Sequence, residues 1–344
     1  MTGINERLRP LTLGEILDRT AQLYRHNFLL FAGVAALPAG VLVAVFAGFG
    51  AIVGLFAAMA KQAVASSVLA VLLVLAIVLV ALPAVIAATV LSQAGLTGTA
   101  IGTHLGQPLK IRAALKSVWP RFWRYLWLMI LQAVFAVLIP AAIAGSGTFL
   151  LFFLASLTGG RTEIGAAPGI FIFLVILVTA VIVIYRMLGY SLAMAVCVAE
   201  DKTAWHSLNR SMKLSRSTRG RIFVMLLLIW ALAMVLSLMA YIPIVIVIAI
   251  VAAMGRGAEY ATVTLIVGEI LNVLINFTVQ TLIAPVYSTA LVLFYYDQRI
   301  RTEGYDIEWM MTRAGLTEVE TLPTLAQGGT AIESPVDPDT VKGL

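Results

Sequence analysis

The chain is short of charge. Of its 344 residues, 12% are Asp, Glu, Lys or Arg, against 61% hydrophobic, and the mean hydropathy is +1.00. Soluble domains carry roughly 25% charged residues. A water-soluble fold of this length could not hide so much apolar surface, so a soluble globular protein is excluded. Cysteine is almost absent. Cys197 stands alone in an apolar run, which excludes a disulfide framework or a thiolate metal site within one chain. Histidine is scarce too: His26, His104 and His206 are the full set. No His-Glu pair has the spacing of zinc ligands. Gly145-Ser146-Gly147 and Gly255-Arg256-Gly257 lack the following Lys-Ser/Thr and the preceding strand of a phosphate loop. No catalytic residue, metal ligand or cofactor site is expected, and the chain reads as a non-enzyme.

What is present is long apolar runs. A membrane-crossing helix needs about 20 mostly apolar residues. Nearly uncharged stretches cover 28–60, 62–103, 125–160, 169–199, 222–255 and 260–296. They predict an all-α, polytopic transmembrane bundle of about six spans. Residues 145–157 either extend span three or form a separate short helix. Pro38, Pro83, Pro140, Pro243 and Pro285 are candidate kinks, because each removes a helix hydrogen bond. Glu6, Glu15 and Asp18 precede the first apolar run and no small-residue cleavage site follows it, so the first span is expected to remain in the mature protein. The transmembrane domain is placed at 1–314. Residues 315–344, with Glu318, Glu320, Glu333, Asp337 and Asp339 among Pro, Gly and Thr, read as a disordered acidic tail.

The basic residues are distributed unevenly. Arg7, Arg9, Arg19 and Arg25 precede span one. Lys110, Arg112, Lys116, Arg121 and Arg124 separate spans two and three. Lys202, Arg210, Lys213, Arg216, Arg219 and Arg221 separate four and five, and Arg299, Arg301 and Arg313 follow six. The opposite connections hold Lys61, Arg161 and Arg256. By the positive-inside rule both termini are expected in the cytoplasm, with the protein in the inner membrane. The net charge of +6 then points to anionic lipid headgroups rather than nucleic acid.

A unit also recurs about every 95 residues: a short amphipathic segment followed by a hairpin of two spans. The segments are 13–25, 109–121 and 203–216, and the repeats cover about 8–103, 107–199 and 201–301. In the first, Leu13, Ile16, Leu17 and Tyr24 share a face opposite Glu15, Asp18, Arg19 and Gln22, and Thr12 with Glu15 forms a capping box. In the second, Ile111, Leu115, Val118 and Phe122 align; in the third, Trp205, Leu208 and Met212. Such helices are expected to lie in the cytoplasmic interface, apolar face inward and basic face toward headgroups. Trp119, Trp123, Trp127 and Tyr125 form an interfacial aromatic cluster beside the second. The alternative is an amphipathic linker packed on its own bundle.

Three segments carry a resemblance. The first is Arg9-Pro10-Leu11-Thr12-Leu13-Gly14-Glu15-Ile16-Leu17-Asp18-Arg19 with Tyr24-Arg25 and Asn27-Phe28. The second is Glu200-Asp201, Ala204, Ser207-Leu208, Arg210-Ser211, Leu214-Ser215 and Gly220-Arg221. The third, and most specific, is Tyr295-Tyr296-Asp297-Gln298-Arg299-Ile300-Arg301 with Glu303-Gly304-Tyr305-Asp306. Across residues 8–308 the chain resembles the bacterial glycerophosphoryl diester phosphodiesterase membrane domain family. In the relatives that give the family its name, the membrane domain is joined to a separate catalytic barrel of about 250 residues. No soluble stretch here is long enough for that barrel, and none of the three histidines is followed by Arg-Gly. The resemblance therefore implies a membrane domain without that activity.

Two intramembrane features could carry function. Glu269, Asn272, Asn276 and Gln280 fall on one face of span six. Polar groups in a bilayer face a wet cavity or the bundle interior. The stripe is thus either a polar path or headgroup pocket, or a set of interhelical hydrogen bonds, the more economical choice. Arg186 lies about 21 Å inward of Glu200 if span four is unbroken. Gln280, Thr281 and Tyr287 are its expected partners across the bundle. It is either an anion or lipid-phosphate contact, or a buried arginine satisfied by those groups. The candidate polar site is Arg186, Glu269, Asn272, Asn276, Gln280 and Tyr287. Arg19, Arg25, Lys110, Arg112, Lys116, Arg121, Arg210, Lys213 and Arg216 are the candidate headgroup contacts. The charges at Asp297, Arg299 and Arg301 read more simply as helix-end charge than as a docking surface.

The expected function is a non-catalytic membrane domain, a scaffold or accessory that organises lipid or a membrane-protein partner. The alternative is a transporter or lipid-translocating protein using Arg186 and the span-six stripe. A continuous wet cavity from Arg186 to Asn276 distinguishes the two. The sequence does not specify the oligomeric state.

Overall fold

The computed structural model describes residues 10–45, 47–48, 63–106, 111–157, 166–254, 258–305, 307 and 310–311. Among these the architecture is helical throughout, with no strand. Helix α1 (Leu13–His26) begins at the predicted capping box: the Glu15 N–H donates to Thr12 Oγ1 at 3.3 Å, and the Thr12 N–H to Glu15 Oε2 at 2.8 Å. Helices α2 (Phe28–Ala35) and α3 (Leu37–Val45) meet at a 41° bend. Pro38 sits in the first turn of α3, where its missing N–H costs nothing. The chain continues through α4 (Ala63–His104) and α5 (Ile111–Val118), then a single 3-10 turn (Trp119–Arg121) into α6 (Phe122–Ala133). A π turn (Val134–Leu138) leads into α7 (Ile139–Leu157). After these come α8 (Ala166–Tyr190), α9 (Ala193–Ala199), α10 (Ala204–Ser215), α11 (Arg219–Met254) and α12 (Ala258–Glu303).

Five helical segments are long and apolar enough to cross a membrane, and six if the bent pair α2–α3 counts as one span. The protein therefore has the helices of a membrane-spanning protein. Residues 145–157 continue α7 directly, so they extend span three and add no separate element. The remainder of the first apolar run, Lys110, the connections bearing Lys61, Arg161 and Arg256, and the acidic tail lie outside the described residues.

The prolines act differently. Pro83, Pro243 and Pro285 stay inside continuous helices. Pro140 cannot donate to the Ala136 carbonyl. Just before it the backbone takes the wider π path, with the Ile139 N–H bonded to the Val134 carbonyl. Span four is broken instead at Ser191–Leu192, between α8 and α9.

Burial is concentrated toward one end of the bundle. Val90, Leu96, Leu192, Val196, Met225 and Phe294 are closed off completely or nearly so. Farther along three of these spans Leu79, Phe173, Leu238 and Ile246 point outward, as side chains in contact with acyl chains do. The packed end is also the charged end. The three predicted amphipathic segments are helical there and pack on the bundle: α1 on α12, α5 on α4, and α10 on α6, α8 and α9. The third divides differently from its sequence pattern. Trp205 is 53% exposed, while Ala204, Ser207, Leu208, Ser211, Leu214 and Ser215 are buried. That face lies over Gly189, whose carbonyl accepts the Ser211 and Ser215 hydroxyls, and Met212 packs against its Cα. A Cβ at Gly189 would come 2.7 Å from Met212 Sδ.

Candidate functional site

At the charged end, acidic groups are paired with arginines in three clusters. The first is centred on Asp297, 1% exposed. Its carboxylate accepts the Leu11 N–H at 2.7 Å and Arg301 Nε at 2.9 Å, and Arg221 Nη1 lies 3.5 Å away. The Leu11 carbonyl in turn accepts Arg301 Nη2 at 2.8 Å and Arg221 Nη2 at 3.0 Å. The end of α12 is thereby tied to the segment before α1 and to the start of α11.

The second joins Glu200, Arg210, Tyr295 and Glu303. Arg210 Nε donates to Glu200 Oε1 at 2.5 Å and its Nη2 to Glu303 at 2.9 Å, and the Tyr295 hydroxyl donates to Glu200 Oε1 at 2.8 Å. Burial alone would lower the pKa of the Arg210 guanidinium, but the hydrogen bond and charge of Glu200 outweigh it and raise it. Arg299 pairs with Glu303 at 3.2 Å and lies over the Tyr305 ring at 4.1 Å. The third cluster is Asp201, paired with Arg121 at 2.8 Å and with Arg124 Nη2, while Arg124 Nη1 donates to its carbonyl at 3.0 Å. Asp201 adopts a left-handed backbone conformation (φ 53°) in the turn between α9 and α10.

These clusters sort the candidate headgroup contacts. Arg121 and Arg210 belong to internal ion pairs. Arg19 is half-buried, and burial lowers its pKa. Arg25, Arg112, Lys116, Lys213 and Arg216 are exposed. Trp119, Trp123 and Trp127, four residues apart, are 67%, 76% and 56% exposed on one helical face, whereas Tyr125 is buried. The expected aromatic cluster is thus an outward tryptophan ridge with its tyrosine turned inward.

The span-six stripe divides. Tyr241 on α11, a residue the sequence pattern did not single out, donates its hydroxyl to Asn272 Oδ1 at 2.6 Å. Asn276 Nδ2 donates to the Tyr241 hydroxyl at 3.0 Å and to Asn272 Oδ1 at 2.7 Å. Glu269 and Gln280 are exposed. A hydroxyl inside an apolar run two residues before Pro243 was the available signal.

Arg186 is not placed against span six. Its Nη1 donates to the Tyr190 hydroxyl at 3.3 Å, one turn along the same helix. Because α8 ends at Tyr190, the alignment that set Arg186 beside Gln280, Thr281 and Tyr287 does not hold. The break also alters the depth: Gly189 lies under α10, and Arg219 at the start of α11 sits 4.1 Å over the ring of Tyr185. Arg186 is therefore close to the charged end. It lines a groove of about 720 Å³ between span three (Phe135, Ile139, Pro140, Ile143, Ala144) and span four (Leu174, Val175, Val178, Thr179, Ile182).

Tyr287 lines a different, small cavity of about 40 Å³ at the span-four break, with Gln93, Thr97, Gln132, Ser191 and Ser288. The carbonyls freed by the break are claimed by neighbours. Gln132 donates to Tyr190 O at 3.3 Å, and Ser211 and Ser215 donate to Gly189 O at 2.8 and 3.2 Å. The cavity has room for about one water. Arg186, Asn276 and Tyr287 thus occupy three separate environments: the span-three/four groove, the α11–α12 contact and the central cavity.

The three segments that carry the family resemblance converge at the charged end, where Leu11 meets Asp297 and Arg210 meets both Glu200 and Glu303. The chain has no match among protein-family models, curated proteins or solved structures.

Proposed function

We propose that this protein is a non-catalytic integral membrane domain of the bacterial inner membrane that gathers anionic lipid around its basic end and so acts as a scaffold or accessory for a membrane partner. The observation that carries this reading is how the charges at that end are divided. Its carboxylates at 200, 201, 297 and 303 are bound to arginines of the same chain. Arg25, Arg112, Lys116, Lys213 and Arg216 stay exposed. With these four carboxylates neutralised by arginines of the same chain, the exposed bases attract anionic headgroups, by about 1 kcal/mol for each base near the membrane surface. The exposed Trp119, Trp123 and Trp127 suit the same interface.

In this reading both termini are cytoplasmic, the unit at α1, α5 and α10 is a threefold repeat, and the chain is a membrane domain of the family that its three converging segments resemble. Ion pairing of the charged end within the chain favours a fixed platform over a moving carrier. The experiment is lipid analysis of the full chain in nanodiscs formed from equal parts phosphatidylglycerol and phosphatidylcholine. Enrichment of phosphatidylglycerol around the protein is expected, falling with rising salt. It is expected to fall as well when Arg112, Lys116, Lys213 and Arg216 are all changed to Gln. Equal recovery of both lipids from the unaltered protein would refute the reading.

A further inference from the structure

The groove between spans three and four has a built shape. Its span-three wall includes the π turn and Pro140, where the helix departs from regular geometry. Such bulges recur at functional sites. Its span-four wall runs from Leu174 to Arg186, about 18 Å at 1.5 Å per residue. That is close to the depth of one leaflet, about half of a 30 Å hydrocarbon core. The lining is apolar except at two points. The Thr179 hydroxyl donates to the Val175 carbonyl of its own helix, so it offers a ligand little. Arg186 is the polar group left, at the end of the groove nearer the charged surface, and its described hydrogen bond uses Nη1 alone.

The surroundings of that end are cationic and aromatic. Arg219 lies over the ring of Tyr185, the residue before Arg186. Trp205 of α10 packs edge-on against Phe135, which lines the groove, with ring centres 5.5 Å apart. A long apolar trough of leaflet depth, closed by a guanidinium at the level of interfacial tryptophan, complements an acyl chain joined to an anionic head. Guanidinium groups bind phosphate through paired hydrogen bonds.

We propose that this groove holds one anionic phospholipid, with an acyl chain between α7 and α8 and its phosphate on Arg186. The site is separate from the exposed bases of α5 and α10, and it rests on the membrane-embedded reading but not on the lipid-gathering surface. The test uses the full chain, loaded in nanodiscs of equal phosphatidylglycerol and phosphatidylcholine, transferred to mild detergent and weighed by native mass spectrometry. One retained phosphatidylglycerol per chain is expected. Arg186→Leu removes a charged hydrogen-bond donor and should lower that retention about tenfold or more. Arg186→Lys should keep part of it. Val178→Trp, which fills the groove and leaves Arg186 in place, should displace the lipid. These last two variants carry the test if Arg186→Leu does not fold.

The proposal is overturned if phosphatidylcholine is retained equally well, or if either Val178→Trp or Arg186→Leu keeps the lipid. It is also overturned if the groove proves to seat a second copy of the chain, seen as a lipid-free dimer that Val178→Trp dissociates. Loss of the bulk enrichment on neutralising the exposed bases, with the single lipid retained, would separate failure of one reading from failure of the other.

Discussion

The carboxylate of Asp297 accepts a hydrogen bond from the backbone N–H of Leu11, 286 residues earlier, at 2.7 Å. This contact ties the segment before α1 to the end of α12 at the charged end of the bundle, and Arg221 and Arg301 bridge the same two residues. The carboxylate is enclosed, so removing its charge leaves two guanidinium groups facing a neutral site. Asp297→Asn is expected to cost about 3 kcal/mol. The measurement is the loss of monodisperse protein on heating in detergent. Unchanged melting would mean that the arginines find other partners and that Asp297 is not the tie.

Glu200 accepts from both Arg210 and Tyr295. The raised pKa of Arg210 has a definite consequence for pH dependence. A cation whose pKa is higher in the folded state stabilises fully below its unfolded value, which for a guanidinium lies well above pH 9, and loses that contribution only as pH rises through the higher folded value. The melting difference between Arg210→Met and the unaltered protein should therefore be the same at pH 6 and pH 9. A difference that shrinks toward pH 9 would assign the effect to another group.

Tyr241 joins Asn272 and Asn276 across α11 and α12. Interhelical hydrogen bonds inside membranes contribute about 0.6–2 kcal/mol. Tyr241→Phe should destabilise by an amount in that range. Asn276→Ala should cost less, because the Tyr241–Asn272 bond survives it, and the double variant little more than Tyr241→Phe, because the bond between Tyr241 and Asn276 is lost in both. Additive losses in a double-mutant cycle would show that the two side chains act separately.

The helical membrane class and the start of α1 are legible in the sequence. Charge scarcity and run length indicated a helical membrane protein, and Thr12 with Glu15 marked the start of α1, since both signals are local. Contacts set by packing were not readable. The sequence places Arg186 in span four and, with that span taken as unbroken, gives it partners on span six; the break at Ser191–Leu192 has no proline to announce it, and its carbonyls are satisfied by Gln132, Ser211 and Ser215 from other helices. Periodicity groups Trp205 with Leu208 and Met212; Leu208 is buried and Met212 meets Gly189, but Trp205 is exposed and packs on Phe135 of another helix, a contact the sequence does not show. In the candidate stripe, two of four residues join one hydrogen-bonded set, and the tyrosine that completes it lies on another span.

Asp201 supports the α9–α10 turn in two ways, and substitution can separate them. Its left-handed backbone is tolerated better by Asn and Asp than by other side chains. Its carboxylate also holds Arg121 and Arg124 at the start of span three. Asp201→Asn keeps the backbone tolerance and loses the charge. Asp201→Gly relieves the backbone but loses every side-chain bond, and Asp201→Ala suffers both losses. The pair is partly exposed, so the charge contributes about 1 kcal/mol or less, and the left-handed backbone costs Ala about 1–2 kcal/mol. The expected order of melting temperature is unaltered protein, then Asn, then Gly, with Ala lowest. Ala melting level with Gly would show that the backbone conformation carries no cost, and that the arginine contacts alone hold α10 against the bundle.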